Sequence, residues 1–338
     1  MRFPFSLTRA LTAYLLGKRL AGQKRYPLVL MLEPSHACNL SCKGCGRIRE
    51  YADTLGQVLS PAQCLAAVEE CGAPIVSVCG GEPLVYPHLD ELLAELLARR
   101  KHVYLCTNGV LLARRVESLR PSPRLMINVH LDGMEATHDR LADRPGVFAA
   151  AAGGIVAAKR KGFYVCTNTT IYRETDLDEI AVLFDYLAEL GVEAMLIAPA
   201  YGYQAVVAAH GQTADELFMT RRQVHEKFRQ AERLLGRFHL AASPLYLDFL
   251  CGRRTLRCAA WANPTYNVRG WRGPCYLVAD RHHATYRELL ETTDWDGLGP
   301  GRDPRCEHCL MHCGFEPAAV FSAWGLRDAV RMAVWQMT

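Results

Sequence analysis

Cys38-Asn-Leu-Ser-Cys42-Lys-Gly-Cys45 comes shortly after an apolar run, Leu28-Val-Leu-Met-Leu32. Thiols spaced four and then three residues apart converge on one small inorganic cluster if the loop curls around it. Three thiolates occupy three irons of a [4Fe–4S] cube and leave the fourth iron open to a non-protein ligand. That vacancy separates a reactive cluster from an electron carrier, as an open position separates catalytic from structural zinc. The competing readings of the three cysteines are a zinc knuckle and stray core thiols. A second motif, Cys79-Gly80-Gly81-Glu82-Pro83, closes another apolar run, Ala73-Pro-Ile-Val-Ser-Val78, and bears on that choice. Glycines let backbone approach a ligand where any Cβ would clash. A carboxylate beside exposed backbone carbonyls suits an ammonium group.

The chain around these motifs has 338 residues, long enough for one large α/β domain and a smaller appendage. With 50% hydrophobic and 22% charged residues it should bury an ordinary core, and a net charge of +4 argues for no nucleic-acid partner. Fourteen cysteines is a heavy load. Their metal-type groupings point to a reducing cytoplasm rather than a disulfide framework. No run has the length of a transmembrane helix, and the N-terminus lacks a signal peptide's pattern.

Strands are expected at 28–35, 74–79, 102–107, 125–131, 163–170 and 193–199, alternating with helices near 60–71, 87–100, 111–119, 147–161 and 176–190. Ser60-Pro61 is a good helix start, with Ser as cap and Pro at the first helical position. Such alternation predicts a parallel sheet with right-handed crossovers. Six units make a partial (βα)6, TIM-like barrel whose chemistry collects at the C-terminal rim, where both motifs fall. The expected organisation is an amphipathic helix over 1–26, the barrel over 27–205, a cysteine-rich extension over 206–316 and an amphipathic helix over 317–338. In the first of these, Leu7, Leu11, Tyr14 and Leu15 share a face, suited either to the bottom of the barrel or to anionic lipid.

Lys101-His-Val-Tyr-Leu-Cys106-Thr-Asn108 is echoed 60 residues later by Lys161-Gly-Phe-Tyr-Val-Cys166-Thr-Asn168. Alternation along a strand puts Cys106 with Asn108 and Cys166 with Asn168. Asn128, His130 and Asp132 form a third such row.

The C-x3-C-x2-C spacing and the Gly-Gly-Glu-Pro stretch together resemble the radical S-adenosylmethionine (SAM) superfamily. The resemblance implies that SAM chelates the open iron and is cleaved to a 5′-deoxyadenosyl radical. It also implies that Gly80, Gly81, Glu82 and Pro83 hold the amino end of the methionine moiety. Strands four and five would then hold the ribose, with Asp132 and Asn168 as first choices and Asn128 beside them. The alternative for each of these polar residues is a strand cap or loop brace. Past the barrel, Cys258, Gly270, Cys275, Cys306 and Cys309 resemble the SPASM/twitch extension of the same superfamily, which implies an auxiliary [4Fe–4S] cluster, with Cys313 in reserve. Zinc bound by Cys306, Cys309, Cys313 and His312 is the competing account.

Longer stretches narrow the resemblance. Lys24-Arg-Tyr-Pro-Leu-Val-Leu-Met-Leu-Glu-Pro34, Glu69-Glu-Cys-Gly-Ala-Pro74, Tyr104-Leu-Cys-Thr-Asn108, Val129-His-Leu-Asp-Gly133, Glu291-Thr-Thr-Asp-Trp295 and His312-Cys-Gly-Phe-Glu-Pro317 resemble the adenosylhopane synthases of hopanoid biosynthesis. That family adds the adenosyl radical to the terminal alkene of diploptene. The segment Gln204-Ala-Val-Val-Ala-Ala-His210 departs from its pattern. The resemblance therefore implies a triterpene substrate and a flavodoxin- or ferredoxin-type electron donor. A paralogue acting on another isoprenoid alkene and a SPASM/twitch peptide-modifying enzyme are the alternatives. The tertiary radical left by such an addition needs a hydrogen atom, and Cys79, Cys106 and Cys166 are the rim thiols. Cys106 is the expected donor, against the plainer reading of a core cysteine. An apolar substrate also predicts peripheral contact with the inner face of the membrane, through an amphipathic helix over 319–335 that presents Phe321, Trp324 and Trp335.

Overall fold

The computed structural model describes residues 3–211 and 217–337; residues 212–216 and the outermost ends of the two expected terminal segments lie outside the described residues. Six parallel strands run in sequential order: β1 (Val29–Leu32), β2 (Ile75–Val78), β3 (His102–Thr107), β4 (Leu125–His130), β5 (Tyr164–Ile171) and β6 (Ala194–Pro199). Helices cover the outside of the sheet. β1 is shorter than expected, because Pro34 has no N–H to give to a ladder. β2 is buried along its whole length, as a strand with helices outside and a packed lumen inside must be. The covering helices supply rows at helical spacing, for example Leu89, Leu92, Leu93 and Leu96 on Leu89–Ala98. Each such buried leucine contributes roughly 1.5–3 kcal/mol. Ser60 caps Pro61–Cys71 in a reciprocal box with Gln63.

The extension does not stand apart from this sheet. β7 (Thr265–Asn267) pairs in parallel with β1, and β8 (Gly270–Pro274) and β9 (Ala279–His283) follow antiparallel. One nine-stranded sheet results, in the order β6-β5-β4-β3-β2-β1-β7-β8-β9. The cysteine-rich tail is thereby bolted to the strand that carries the first cysteine loop.

Helix Phe5–Leu20 closes the N-terminal end of the barrel. Leu7 packs with Ile75 and Met126, ringed by Tyr104 and Tyr164, while Leu11, Tyr14 and Leu15 meet Tyr26, Leu28 and Phe321. The face expected to be apolar is therefore spent on protein. The C-terminal segment is also corrected: it is two helices, His312–Phe321 and Leu326–Met337. The break lies at Trp324, whose indole N–H donates to the Ala319 carbonyl at 2.7 Å. Phe321 packs on Tyr26, and Trp335 packs on Phe3 and donates to the Leu240 carbonyl, so neither ring presents a free apolar face. Trp324, in the break, stays exposed at 42% as expected, and the second helix adds Leu326, Val330, Val334 and Met337. Among the described residues no helix is long and apolar enough to cross a membrane.

Candidate active site

Cys38, Cys42 and Cys45 lie on the loop between β1 and the short helix Arg47–Glu50, each partly buried. Cys38 and Cys42 pack beside Leu40, Ala142 and Val147. The loop is tied from behind. Arg49 Nη1 donates to the Cys42 carbonyl at 2.9 Å and to that of Cys45 at 2.6 Å, and the Leu40 N–H points at Cys38 Sγ at 3.4 Å. Burial pushes the Cys38 thiol up to about 11 and Cys42 to about 12, and neighbouring thiols add to the rise. Cys38 and Cys42 become thiolates together only when a bound cation offsets both effects, since a coordinating metal deprotonates a thiol outright.

The glycines explain how β2 reaches this loop. A Cβ on Gly81 would sit 2.0 Å from the Ala37 carbonyl oxygen, and one on Gly80 would sit 2.6 Å from that of Ser35. The Gly81 and Glu82 N–H groups donate to Ser35 and Ala37 across that contact. Glu82 corrects the expectation drawn from its charge. Its carboxylate is 3% exposed and accepts from the Leu84 N–H (2.9 Å), the Thr107 hydroxyl (2.7 Å) and the Asn108 N–H (2.8 Å). It braces the loop from inside rather than facing an ammonium group.

Inside the barrel, Cys106, Asn128 and Cys166 occupy one register row across β3, β4 and β5. The 60-residue echo is thus a pair of strands flanking β4. Cys106 Sγ shares a hydrogen bond with Ser77 Oγ at 3.3 Å and receives one from Asn128 Nδ2 at 3.8 Å. One row higher, His130 pairs with Asn168. Here too a carboxylate is already engaged: Asp132 Oδ2 lies 2.7 Å from His130 Nε2, and its Oδ1 accepts from the Thr170 N–H at 2.7 Å. His130 in turn meets Asn168 Nδ2 at 3.2 Å. Asp132 is 3% exposed, so the group it presents to the lumen is His130. The buried Oδ1 atoms of Asn128 and Asn168 have no protein partner among the described residues, as acceptors waiting for a ligand's hydroxyl or amino group would.

The tail cysteines are brought together. Cys258, Cys275, Cys306, Cys309 and Cys313 line one cavity, roofed by Tyr201 and Tyr276. Gly314 belongs to its wall because a Cβ there would sit 2.6 Å from Cys258 Sγ. His312 is not among the lining residues, so the competing zinc set is not assembled. A tetrahedral zinc needs sulfurs about 3.8 Å apart, from a Zn–S bond of about 2.3 Å. Among the described residues no three Cys, His, Asp or Glu side chains gather at single-ion spacing. Ligands of a cube bind separate irons and stand wider apart. Cys64, Cys71 and Cys251 are buried elsewhere, as expected of core thiols.

Sequence reading missed a polar wall between the two cysteine sets. Arg47, two residues past Cys45, pairs with buried Glu33 at 2.7 Å and with Glu50 at 2.9 Å. Its guanidinium also lies over the Tyr276 ring at 4.0 Å and donates to the Tyr276 carbonyl. Arg272 continues the wall, donating to the Cys275 carbonyl at 3.1 Å. The only signal in the sequence is a glutamate closing an apolar strand and an arginine just beyond the third cysteine.

Comparison with known proteins agrees with this geometry. Residues 32–187 match the family model of the radical SAM superfamily, so the chain carries a radical SAM domain, the cofactors of which are a [4Fe–4S] cluster and SAM. Residues 195–332 match a second model, the domain of unknown function DUF3463, so the radical SAM domain here carries a DUF3463 extension. The chain is 30% identical over 195 residues to the AdoMet-dependent heme synthase of Methanosarcina barkeri, covering 56% of this chain and 54% of that protein. It is 33% identical over 168 residues to the GTP 3′,8-cyclase of Mycolicibacterium smegmatis, covering 47% and 46%. It thus spans about half the length of these curated relatives. Streptococcus suis SuiB bound to precursor peptide SuiA shares the fold, with a TM-score of 0.64 at 14% identity over 88% of this chain and 73% of that one. So does anSMEcpe with bound AdoMet and the Cp18Cys peptide, at 0.54 and 15% over 80% and 81%.

Proposed function

We propose that the enzyme joins the 5′-deoxyadenosyl group of SAM to the terminal alkene of a hopene such as diploptene, consuming SAM as a substrate. Cys38, Cys42 and Cys45 hold the catalytic cluster, the backbone at Gly80–Pro83 receives the methionine end, and Asn128, Asn168 and the Asp132–His130 pair face the nucleoside. When bound there, the cluster supplies the electron that splits SAM, and the primary radical released adds to the alkene and leaves a tertiary radical. Cys258, Cys275, Cys306 and Cys309, with Cys313 beside them, hold the auxiliary cluster.

The observation that carries the reading is the setting of Cys106. Of the three rim thiols it is the one with partial exposure; Cys79 and Cys166 are buried, and Cys166 gives its S–H to the Ile127 carbonyl. Burial keeps the Cys106 thiol above its ordinary pKa, against the lowering influence of Ser77 and Asn128, so the sulfur carries a hydrogen. That S–H gives its hydrogen atom to the tertiary carbon, and one electron and one proton then restore the thiol. A Cys106→Ala enzyme, reconstituted and given SAM, dithionite and diploptene, should cleave SAM at about the normal rate and lose reduced adenosylhopane at least tenfold, by mass spectrometry. Unchanged product at an unchanged rate removes Cys106 from the reaction.

A neighbouring reading is another isoprenoid alkene. The family-divergent segment forms helix Gln204–His210, and His210 Nε2 meets the Lys43 carbonyl over the cysteine loop at 2.9 Å. Lipid contact belongs to the same proposal. Leu326 (84% exposed) and Val330 (54% exposed) recur at i, i+4 on the last helix, whose final turn meets the plug at the barrel's closed end through Gln336 and Thr8. Contact there anchors the protein rather than delivering the alkene. Leu326→Gln/Val330→Gln should abolish co-sedimentation with anionic liposomes and leave thermal unfolding unchanged; retained sedimentation refutes the contact.

A further inference from the structure

Behind the five-cysteine cavity the surface carries two adjoining clefts of about 410 and 270 Å³. Six arginines line them (Arg221, Arg222, Arg229, Arg254, Arg257 and Arg302) against two carboxylates, Glu226 and Glu307. Asp328 answers Arg254 at 2.6 Å, Asp296 answers Arg257 at 2.7 Å, and Glu226 answers Arg222 at 2.9 Å. The other three arginines donate to backbone carbonyls instead: Arg221 to Cys309 at 3.1 Å, Arg229 to Cys251 at 2.9 Å and Arg302 to Leu298 at 3.2 Å. A carbonyl cancels no charge, so the clefts stay positive on a chain whose overall charge is a mild +4. The clefts also abut the cysteine cavity directly. Cys258 and Leu298 line both the inner cleft and the cavity, and the carbonyl held by Arg221 belongs to Cys309.

We propose that this arginine-lined face docks an acidic one-electron carrier protein, and that the electron enters the chain through the wall at Cys258. The inference rests on the reading of Cys258, Cys275, Cys306 and Cys309 as ligands of an auxiliary cluster. The reaction creates the demand. Splitting SAM takes one electron, and restoring the hydrogen given to the tertiary carbon takes one more and a proton, with none returned because SAM is consumed. Each transfer oxidises the carrier by one electron and reduces the auxiliary centre by one. A positive patch placed against that centre raises the encounter rate of an acidic partner and orients it with its cofactor toward Cys258. A nucleic acid would gain nothing from the shared wall.

The test uses the full-length reconstituted holoenzyme and two reductants, an acidic flavodoxin and dithionite. Arg222→Glu/Arg257→Glu reverses charge on both sides of the clefts and disturbs only exposed ion pairs, which contribute little to stability. Flavodoxin binding, measured anaerobically by calorimetry, should weaken about tenfold or more at low salt, and SAM cleavage driven by reduced flavodoxin should fall with it. Cleavage driven by dithionite should hold. Wild-type binding should itself decline steeply up to about 1 M salt, where the Debye length shrinks to about 3 Å. Arg222→Lys/Arg257→Lys should behave as wild type. Unchanged flavodoxin affinity in the reversed variant, equal loss with both reductants, or capture of heparin in preference to flavodoxin overturns the docking proposal. Cys275→Ala tests the cluster reading separately: unchanged iron content and an unchanged reduced-state EPR spectrum would sink that reading, whatever flavodoxin does.

Discussion

A Cys42→Ala enzyme should cleave no SAM. Cys42 is the middle thiol of the loop, and its carbonyl is one of the two held by Arg49. Alanine keeps that backbone bond and fills most of the space against Leu40, Ala142 and Val147, so the fold should survive. What goes is one of three thiolates on a cluster that already has one open iron, and two thiolates on one loop do not hold a cube. Anaerobically reconstituted Cys42→Ala should lose the catalytic cluster's visible absorption. Release of adenosyl products should drop by at least about 10³, equivalent to about 4 kcal/mol of transition-state stabilisation. Cys64→Ala, which removes a thiol buried in helix Pro61–Cys71, should do neither. SAM cleavage by Cys42→Ala at the parent rate would dismiss the loop as the site of chemistry.

Much of this arrangement is legible in the chain because strand position is a matter of period. Cys106, Asn128 and Cys166 fall in one row because strand ladders are regular, and the echo between Lys101–Asn108 and Lys161–Asn168 records it in advance. Gly80 and Gly81 read as places where backbone approaches a ligand, whereas the surface they lie against is the backbone of Ser35 and Ala37. Period does not say which acceptor a side chain chooses. Glu82 and Asp132 each find backbone N–H donors within 2.8 Å, and a buried carboxylate with such donors turns toward them, leaving His130 and two asparagine oxygens at the lumen. The tail was misread for a related reason. Phe321, Trp324 and Trp335 fit one amphipathic face only if the helix is unbroken, and the break at 322–325 is set by packing of Phe321 on Tyr26 and Trp261, residues far away in sequence. The same distance hides Arg47 and Glu33 from each other.

That pair sets the second large effect, on stability. Glu33 is fully buried, and burial alone would raise its carboxyl pKa; Arg47, the His36 ring at 3.3 Å and Arg272 outweigh it and hold the group below the ordinary carboxylate range. Arg47→Met keeps an unbranched apolar stem beside Tyr276 and removes the charge. Removing one partner of a buried ion pair leaves the other uncompensated, at about 3–5 kcal/mol. Against the 5–15 kcal/mol that holds a typical domain together, that is enough to put much of the chain near its threshold at 37 °C. The pH dependence distinguishes this cause from mere loss of packing. In the parent, the folded pKa lies below the unfolded one, so this contribution is complete above the ordinary carboxylate value and is lost as pH falls below it. In Arg47→Met only His36 and Arg272 still oppose burial, so the folded pKa moves up and the stability gained as pH climbs through the ordinary value shrinks or reverses. Urea unfolding between pH 4 and 7 should therefore give a shallower or inverted pH slope in the variant than in the parent. Glu33→Gln added to Arg47→Met should recover about half the loss or more, because the uncompensated charge is gone. Parallel pH slopes, or a double variant no better than Arg47→Met alone, would show that the wall between the two cysteine sets is held by packing and not by this charge.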